Sequence, residues 1–148
     1  MHTDPRLADS ARKLLRLGIL LFLLGLVTGF LVPAAAVPRM ALSSHLEGVL
    51  NGLFLVVLGL IWHRLALGVR ARRVAFWLAV YGTFTNWATT LAAAFLGAGA
   101  PMMPLAADGF TGSAGQEALI ALGLISLSIS MVTVSGLALW GLRPSASA

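Results

Sequence analysis

Apolar and polar stretches alternate along the chain in a long-period pattern. Four predominantly apolar runs stand out, at 17–32, 46–65, 74–96 and 118–142, and short polar or Gly/Pro-rich segments separate them. An α-helix needs about 20 such residues to cross the ~30 Å hydrocarbon core of a bilayer. The pattern therefore predicts four transmembrane helices, at approximately 15–35, 45–65, 73–97 and 116–142.

Composition supports the same class. The chain has 148 residues, of which 59% are hydrophobic and only 10% charged, and its mean hydropathy is +0.94. A water-soluble domain of this size needs more polar surface. We therefore expect an all-α, integral membrane four-transmembrane-helix bundle forming a single domain over 1–148. The absence of cysteine excludes disulfides, thiolate metal sites and a cysteine nucleophile.

The positive charge is unevenly placed. Four basic residues precede the first run, four lie at the end of the second run and before the third, and Arg143 follows the fourth, whereas the opposite connections hold only Arg39. Lys and Arg accumulate on the cytoplasmic side. This predicts a multi-pass protein of the cell's inner (plasma) membrane with both termini cytoplasmic. The net charge of +5 is confined to these patches, so we expect membrane lipid as a partner and no nucleic acid.

The basic start, apolar core and Ala-rich end of the first run also resemble a cleavable signal peptide. The run is longer than the ~7–15 apolar residues usual there, so a retained helix is favoured.

One face of the second predicted helix carries His45, Gly48 and Gly52. Two interpretations are open. The glycines receive a neighbouring helix and His45 is hydrogen-bonded at that interface, or the bare stripe leaves room for a flat ligand such as a porphyrin, with His45 on its iron. Ionisable residues within spans are often functional.

Two amides lie in apolar surroundings, Asn51 on the second helix and Asn86 on the third. A buried amide needs partners, so both are candidates for orienting a polar group of a substrate. The hydroxyls of the third and fourth helices can instead bond to their own backbone.

Two sequences have capping-box spacing, Ser44-x-x-Glu47 and Ser113-x-x-Gln116. Both predict helix starts, and Glu47 is therefore interpreted as a cap residue.

Arg39 interrupts the charge asymmetry near His45. It either pairs with Asp108 or lipid headgroups, or meets an acidic group of a bound cofactor such as a haem propionate. The other histidines are weaker candidates: His63 belongs to a predicted interfacial belt with Trp62 and Arg64, and His2 lies in the terminus.

Several segments resemble the hydroxylaminobenzene mutase family. They are Pro38-Arg39-Met40, LSSHLEGVLNG at 42–52, FWLAVYGT at 76–83, Asn86-Trp87 and Gly141-Leu142-Arg143. The first two together are the most specific, because they combine a turn, a cap and polar residues at fixed spacing. The element His45…Asn51-Gly52 is more distantly similar to the His-x5-Asn-Gly element of styrene oxide isomerases.

The resemblance implies conversion of hydroxylaminobenzene to 2-aminophenol without NAD(P)H. From the styrene oxide isomerases it further implies a trimer that binds haem b, with His45 as the iron ligand, Lewis-acid chemistry at ferric iron and Asn51 orienting a small aromatic substrate. Those isomerases carry an acidic residue and a tyrosine on the third helix, where this chain has Gly82 and Thr90. That departure disfavours an epoxide substrate. An epoxide isomerase and a non-enzymatic haem-binding membrane protein remain the alternatives.

Overall fold

The computed structural model describes residues 5–143 as helices joined by short turns, with no strand in that part of the chain. The elements are α1 (Pro5–Leu31), a 3₁₀ turn (Val32–Ala34), α2 (Pro38–Ile61), a second 3₁₀ turn (Trp62–Arg64), α3 (Val69–Leu96), the one-turn helix α4 (Pro104–Ala107) and α5 (Ala114–Gly141). The predicted all-α class is confirmed.

Three of these helices are long and apolar enough to span a membrane. The candidate spans are Leu7–Ala34, Pro38–Arg64 and Ala114–Gly141. Helix α3 is as long as α5, at 28 residues, but arginines occupy its first turns and threonine and asparagine interrupt its apolar run. Composition thus identifies three clear spans where four were predicted, because α3 is too polar to qualify on its own.

The first two helices begin earlier than predicted. Helix α1 begins at Pro5 rather than near 15, because Arg and Lys are good helix formers and the basic segment continues the helix. Helix α2 begins at Pro38 rather than at 45. Proline is favoured in a first turn, where its missing N–H would have no helical partner anyway. Ser44 and Glu47 therefore lie inside α2, and the predicted capping box there is wrong.

Helices α1 and α2 pack backbone against backbone. A Cβ on Gly25 would lie 2.5 Å from the Val49 nitrogen, and a Cβ on Gly48 would lie 2.5 Å from the Gly25 Cα. One turn further, a Cβ on Gly52 would lie 2.7 Å from the Gly18 carbonyl oxygen. Any larger residue at these positions separates the helices, so close small-residue packing is confirmed.

The long helices form an open row rather than a closed bundle. Helix α2 packs on α1 and α3, and α5 packs on α3 with no comparable interface to α1 or α2 among residues 5–143. Helices α2 and α3 run antiparallel: the Val37 N–H donates to the Ala94 carbonyl at one end, and Trp62 packs edge-on against Phe76 at the other. This row leaves large apolar side chains of α2 and α3 exposed on one side, for example Leu50 and Trp77.

The loop before α5 is held by a carboxylate. Glu117 accepts the Gly99 N–H at 2.7 Å and the Gly112 N–H at 2.8 Å. The predicted capping box of Ser113 and Gln116 is present, with each side chain accepting the other's backbone N–H. Both features fix where α5 begins.

Trp62 does not belong to an interfacial belt. Its side chain is fully buried, in the core cluster that includes Leu14 and Ala79. Only His63 and Arg64 of the predicted belt are exposed, because the 3₁₀ turn directs the tryptophan inward.

Candidate functional site

His45 is anchored by helix α1. Its Nδ1 lies 2.8 Å from the Gly25 carbonyl oxygen. A carbonyl only accepts, so Nδ1 carries the proton and Nε2 of the neutral ring keeps a free lone pair. The ring edge lies on Gly29, where a Cβ would be 3.0 Å from Nδ1. In metal-binding histidines, a hydrogen bond from the other ring nitrogen to a backbone carbonyl fixes the tautomer in the same way.

The glycine stripe below His45 is filled by α1. Gly48 faces Gly25, and Gly52 faces Gly18 and Phe22. The interpretation that Gly48 and Gly52 leave room for a flat ligand is therefore wrong, because the backbone of α1 occupies that face. Of the two interpretations of this face, helix packing with a hydrogen-bonded histidine is the one that the structure supports.

Trp87 joins the three helices around His45. Its indole Nε1 donates to the Thr28 hydroxyl of α1 at 3.0 Å, and its carbonyl accepts from the buried Ser44 hydroxyl of α2 at 2.9 Å. The side chain also reaches Gly48. Bonds to both neighbours hold the turn that carries His45 in one position.

Polar side chains of α2 and α3 meet on the other side of α2. The Glu47 carboxyl lies near the Thr90 hydroxyl of α3. Oε2 of Glu47 and Oγ1 of Thr90 are both buried, and neither has a hydrogen-bond partner within residues 5–143. Glu47 is thus an interior residue facing α3, which corrects its interpretation as a cap.

The two candidate amides fall in the same place. Asn51 lies one turn after Glu47 on α2, and Asn86 one turn before Thr90 on α3. Because α2 and α3 are antiparallel, Asn51 and Asn86 lie at the same height along the interface between them. Both amides are half-buried, and no hydrogen bond joins either to the described part of the chain. We call Glu47, Asn51, Asn86 and Thr90 the polar seam.

Other hydroxyls donate hydrogen bonds to backbone carbonyls of their own helix, as predicted. Thr83 donates to the Ala79 carbonyl on α3. On α5, Ser126, Ser130 and Thr133 donate to carbonyls three or four residues earlier in the helix. Tyr81 adds a 2.7 Å hydroxyl contact to Ser126 that joins α3 to α5. These groups contribute to helix packing.

Arg39 holds the loop that contains α4. Its Nη1 donates to the Leu105 carbonyl at 3.0 Å and lies 3.8 Å from the Asp108 carboxylate. The pairing with Asp108 is confirmed. Since both side chains are largely exposed, at 64% and 70%, the guanidinium stays accessible, and its contact with a cofactor acid group stays a prediction.

The donor set restricts the kind of metal that fits. Among residues 5–143, no three His, Cys, Asp or Glu side chains come together. Near His45 the protein therefore offers one imidazole nitrogen. That fits a metal that arrives with most of its ligands, as iron does in haem, and not a bare ion.

Two cavities lie away from His45 and the seam. They lie between the start of α1 and the start of α3, at the other end of these helices from His45. Their volumes are about 280 and 390 Å³, and basic and aromatic side chains such as Lys13, Arg72 and Trp77 line them. Their position beside the basic turn separates them from the candidate chemistry.

His45, Asn51 and Asn86 stay predicted site residues, and the sequence gives no sign of the Gly25 carbonyl that bonds His45. The Gly25 carbonyl is a backbone group, and no residue type signals its role. Glu47 was recognised, but its role depends on where α2 begins. His2 lies outside the described residues.

Similarity to known proteins covers the same region. The model of the styrene oxide isomerase family matches residues 10–143. Hydroxylaminobenzene mutase HabB of Ectopseudomonas oleovorans is 64% identical over 143 residues, 97% of this chain and 87% of its own. Hydroxylaminobenzene mutase HabA of the same organism is 43% identical over 114 residues, 77% of this chain and 84% of its own. No solved structure matches significantly.

Because the family model covers nearly the whole chain, including every seam residue and His45, the chain belongs to the styrene oxide isomerase family and is an isomerase.

Proposed function

We propose that this isomerase converts hydroxylaminobenzene-type aryl hydroxylamines into 2-aminophenols within the membrane. Two hydroxylaminobenzene mutases at 64% and 43% identity support the substrate class. The structural observation that carries the proposal is the polar seam: Asn51 and Asn86 lie in apolar helices with no hydrogen bond to described residues. Amides left unpaired in such a place are available to a small polar ligand.

The reaction is a redox-neutral rearrangement. The N–O bond breaks, a C–O bond forms at the ortho carbon, that carbon loses its proton, and nitrogen gains one. Substrate and product are isomers, so the proposal requires no NAD(P)H.

Asn51 and Asn86 orient the hydroxylamine. Each amide offers two donors and an acceptor, which suits the N–O group of the substrate. A fixed orientation delivers the hydroxyl to the nearby ortho carbon. The apolar helices around the seam keep water away, because free water attacking the ring would give the para product.

Haem b is the proposed cofactor, and His45 is the residue that would hold it, through Nε2. The imidazole fits this role because the Gly25 carbonyl occupies Nδ1. The group would not lie on Gly48 and Gly52, where α1 already packs. Arg39, exposed at the same end of α2, is available to an acidic substituent. When bound, ferric haem would supply Lewis acidity toward the N–O oxygen.

We further propose four spans, with α3 as the fourth, both termini in the cytoplasm and the protein in the cell's inner membrane. Helix α3 has the length to span, and two of its polar side chains contact neighbouring helices: Thr90 lies near Glu47 of α2, and the Tyr81 hydroxyl contacts Ser126 of α5. A homotrimer is proposed because the row is open and neighbouring subunits would cover the bare side of α2 and α3.

Epoxide isomerisation is the second candidate, since the matching family is named for styrene oxide. Gly82 and Thr90 argue against it, because they stand where styrene oxide isomerases carry an acidic residue and a tyrosine.

The test supplies both substrates to membranes containing the protein, under nitrogen and without NAD(P)H. We expect 2-aminophenol from hydroxylaminobenzene and little phenylacetaldehyde from styrene oxide. The opposite pattern would favour the epoxide isomerase. A protein that shows a haem spectrum but turns over neither substrate would be a non-enzymatic haem-binding protein.

A further inference from the structure

Glu47 is the one carboxyl group within residues 5–143 that the fold does not use. Asp9 pairs with Lys13 at 2.7 Å, Asp108 lies beside Arg39, and Glu117 accepts two backbone N–H groups. Oε2 of Glu47 is buried and has no hydrogen-bond partner among these residues.

That arrangement is costly for stability alone. A buried polar group without a partner destabilises the folded chain, and an acid inside a membrane span does so more strongly. The neighbouring Thr90 hydroxyl is also unpaired, so the seam contains two adjacent polar atoms that stabilise nothing in the described chain. Such a group is expected to serve a ligand.

The proposed rearrangement needs a group of this kind. After the hydroxyl has bonded to the ortho carbon, the ring is a cyclohexadiene imine whose ortho carbon still holds its proton. Aromaticity returns when that proton leaves and the imine nitrogen gains one. Asn51 and Asn86 cannot carry a proton. In His45 the Nδ1 proton is bonded to the Gly25 carbonyl, and Nε2 is assigned to the proposed iron.

We propose that Glu47 carries this proton. As a carboxylate it accepts the ortho proton while the C–H electron pair re-forms the aromatic ring, and it then donates the proton to the nitrogen. The carboxylate is regenerated, and no oxidant or reductant takes part. The Thr90 hydroxyl lies beside the carboxyl and would donate to it in its charged state. This inference rests on the proposed function.

The test compares Glu47→Gln with Glu47→Asp, using hydroxylaminobenzene with hydrogen or with deuterium at both ortho carbons. Asp9→Asn is the matched control, because it makes the same acid-to-amide change at an exposed residue far from the seam. We expect Glu47→Gln to lower kcat by about 10²–10⁴-fold, the usual contribution of proton transfer. Its ortho-deuterium isotope effect should exceed that of the wild type, because proton removal has become the slow step.

Glu47→Asp keeps the carboxyl group, so its kcat should lie between those of the wild type and Glu47→Gln. Its isotope effect should be near the wild-type value. Asp9→Asn should match the wild type. A merely structural role would lower the rate without moving the isotope effect, so an unchanged isotope effect in both Glu47 variants overturns the proposal. If the wild type itself makes no 2-aminophenol, the proposed function fails instead.

Discussion

The Nδ1 atom of His45 and the carbonyl oxygen of Gly25 lie 2.8 Å apart, across the glycine contact between α1 and α2. Gly25 therefore has two roles: it lets α1 approach α2, and its carbonyl directs the ring. The position of the candidate ligand depends on the packing of a neighbouring helix.

Replacing Gly25 with alanine should separate these helices. The new Cβ would meet the backbone of Gly48 and Val49 at 2.5–2.7 Å, where nothing can rotate away. We expect a loss of about 1–3 kcal/mol in stability, measured by thermal unfolding in detergent. Gly136→Ala is the control, because a Cβ there has no neighbour within 4 Å. Equal melting temperatures for the two variants would contradict the packing described.

Asn51→Leu and Asn86→Leu should remove activity while leaving stability unchanged. Neither amide has a hydrogen bond to lose in residues 5–143. Ser44→Ala should behave differently, because its hydroxyl bonds the Trp87 carbonyl at 2.9 Å and its loss should cost about 1 kcal/mol. Unfolding curves and turnover, measured on the same preparations, separate these effects. Marked destabilisation by the leucine variants would show that the amides are structural.

Glu117→Gln should loosen the loop before α5. The carboxylate accepts two N–H groups at once, whereas the amide can accept through only one atom. We expect a cost of about 1–3 kcal/mol and faster hydrogen exchange at Gly99 and Gly112. Asp108→Asn serves as the comparison, because its exposed pair with Arg39 should be worth little. Equal exchange in both variants would show that Glu117 does not hold the loop.

The haem proposal predicts a Soret band in the purified protein that disappears in His45→Ala. His63→Ala should keep the band, because His63 is exposed in the turn after α2. An active wild-type preparation without a Soret band would show that the reaction does not require haem.

The sequence alone predicted the face shared by His45, Gly48 and Gly52, because helical periodicity depends only on spacing. It did not predict which helix would cover that face. Helix α1 covers Gly48 and Gly52, so no flat ligand fits on these glycines, whereas His45 is still a candidate ligand.

Glu47 is not a cap residue, because α2 begins at Pro38 rather than near 45. The Ser44-x-x-Glu47 spacing forms a capping box only when Ser44 is the residue before the first helical turn. Because α2 begins at Pro38, Ser44 lies inside the helix instead. A shift of seven residues turned a surface cap into a buried carboxyl facing Thr90. The Gly25 carbonyl was beyond prediction for another reason, since backbone acceptors have no residue signature.

The most direct measurement of the central claim uses membranes containing this protein, under nitrogen, in water enriched in ¹⁸O, with hydroxylaminobenzene and no NAD(P)H. We expect 2-aminophenol without ¹⁸O, because the hydroxyl moves within one molecule in a dry site. Absence of 2-aminophenol, or product carrying solvent oxygen, would contradict it.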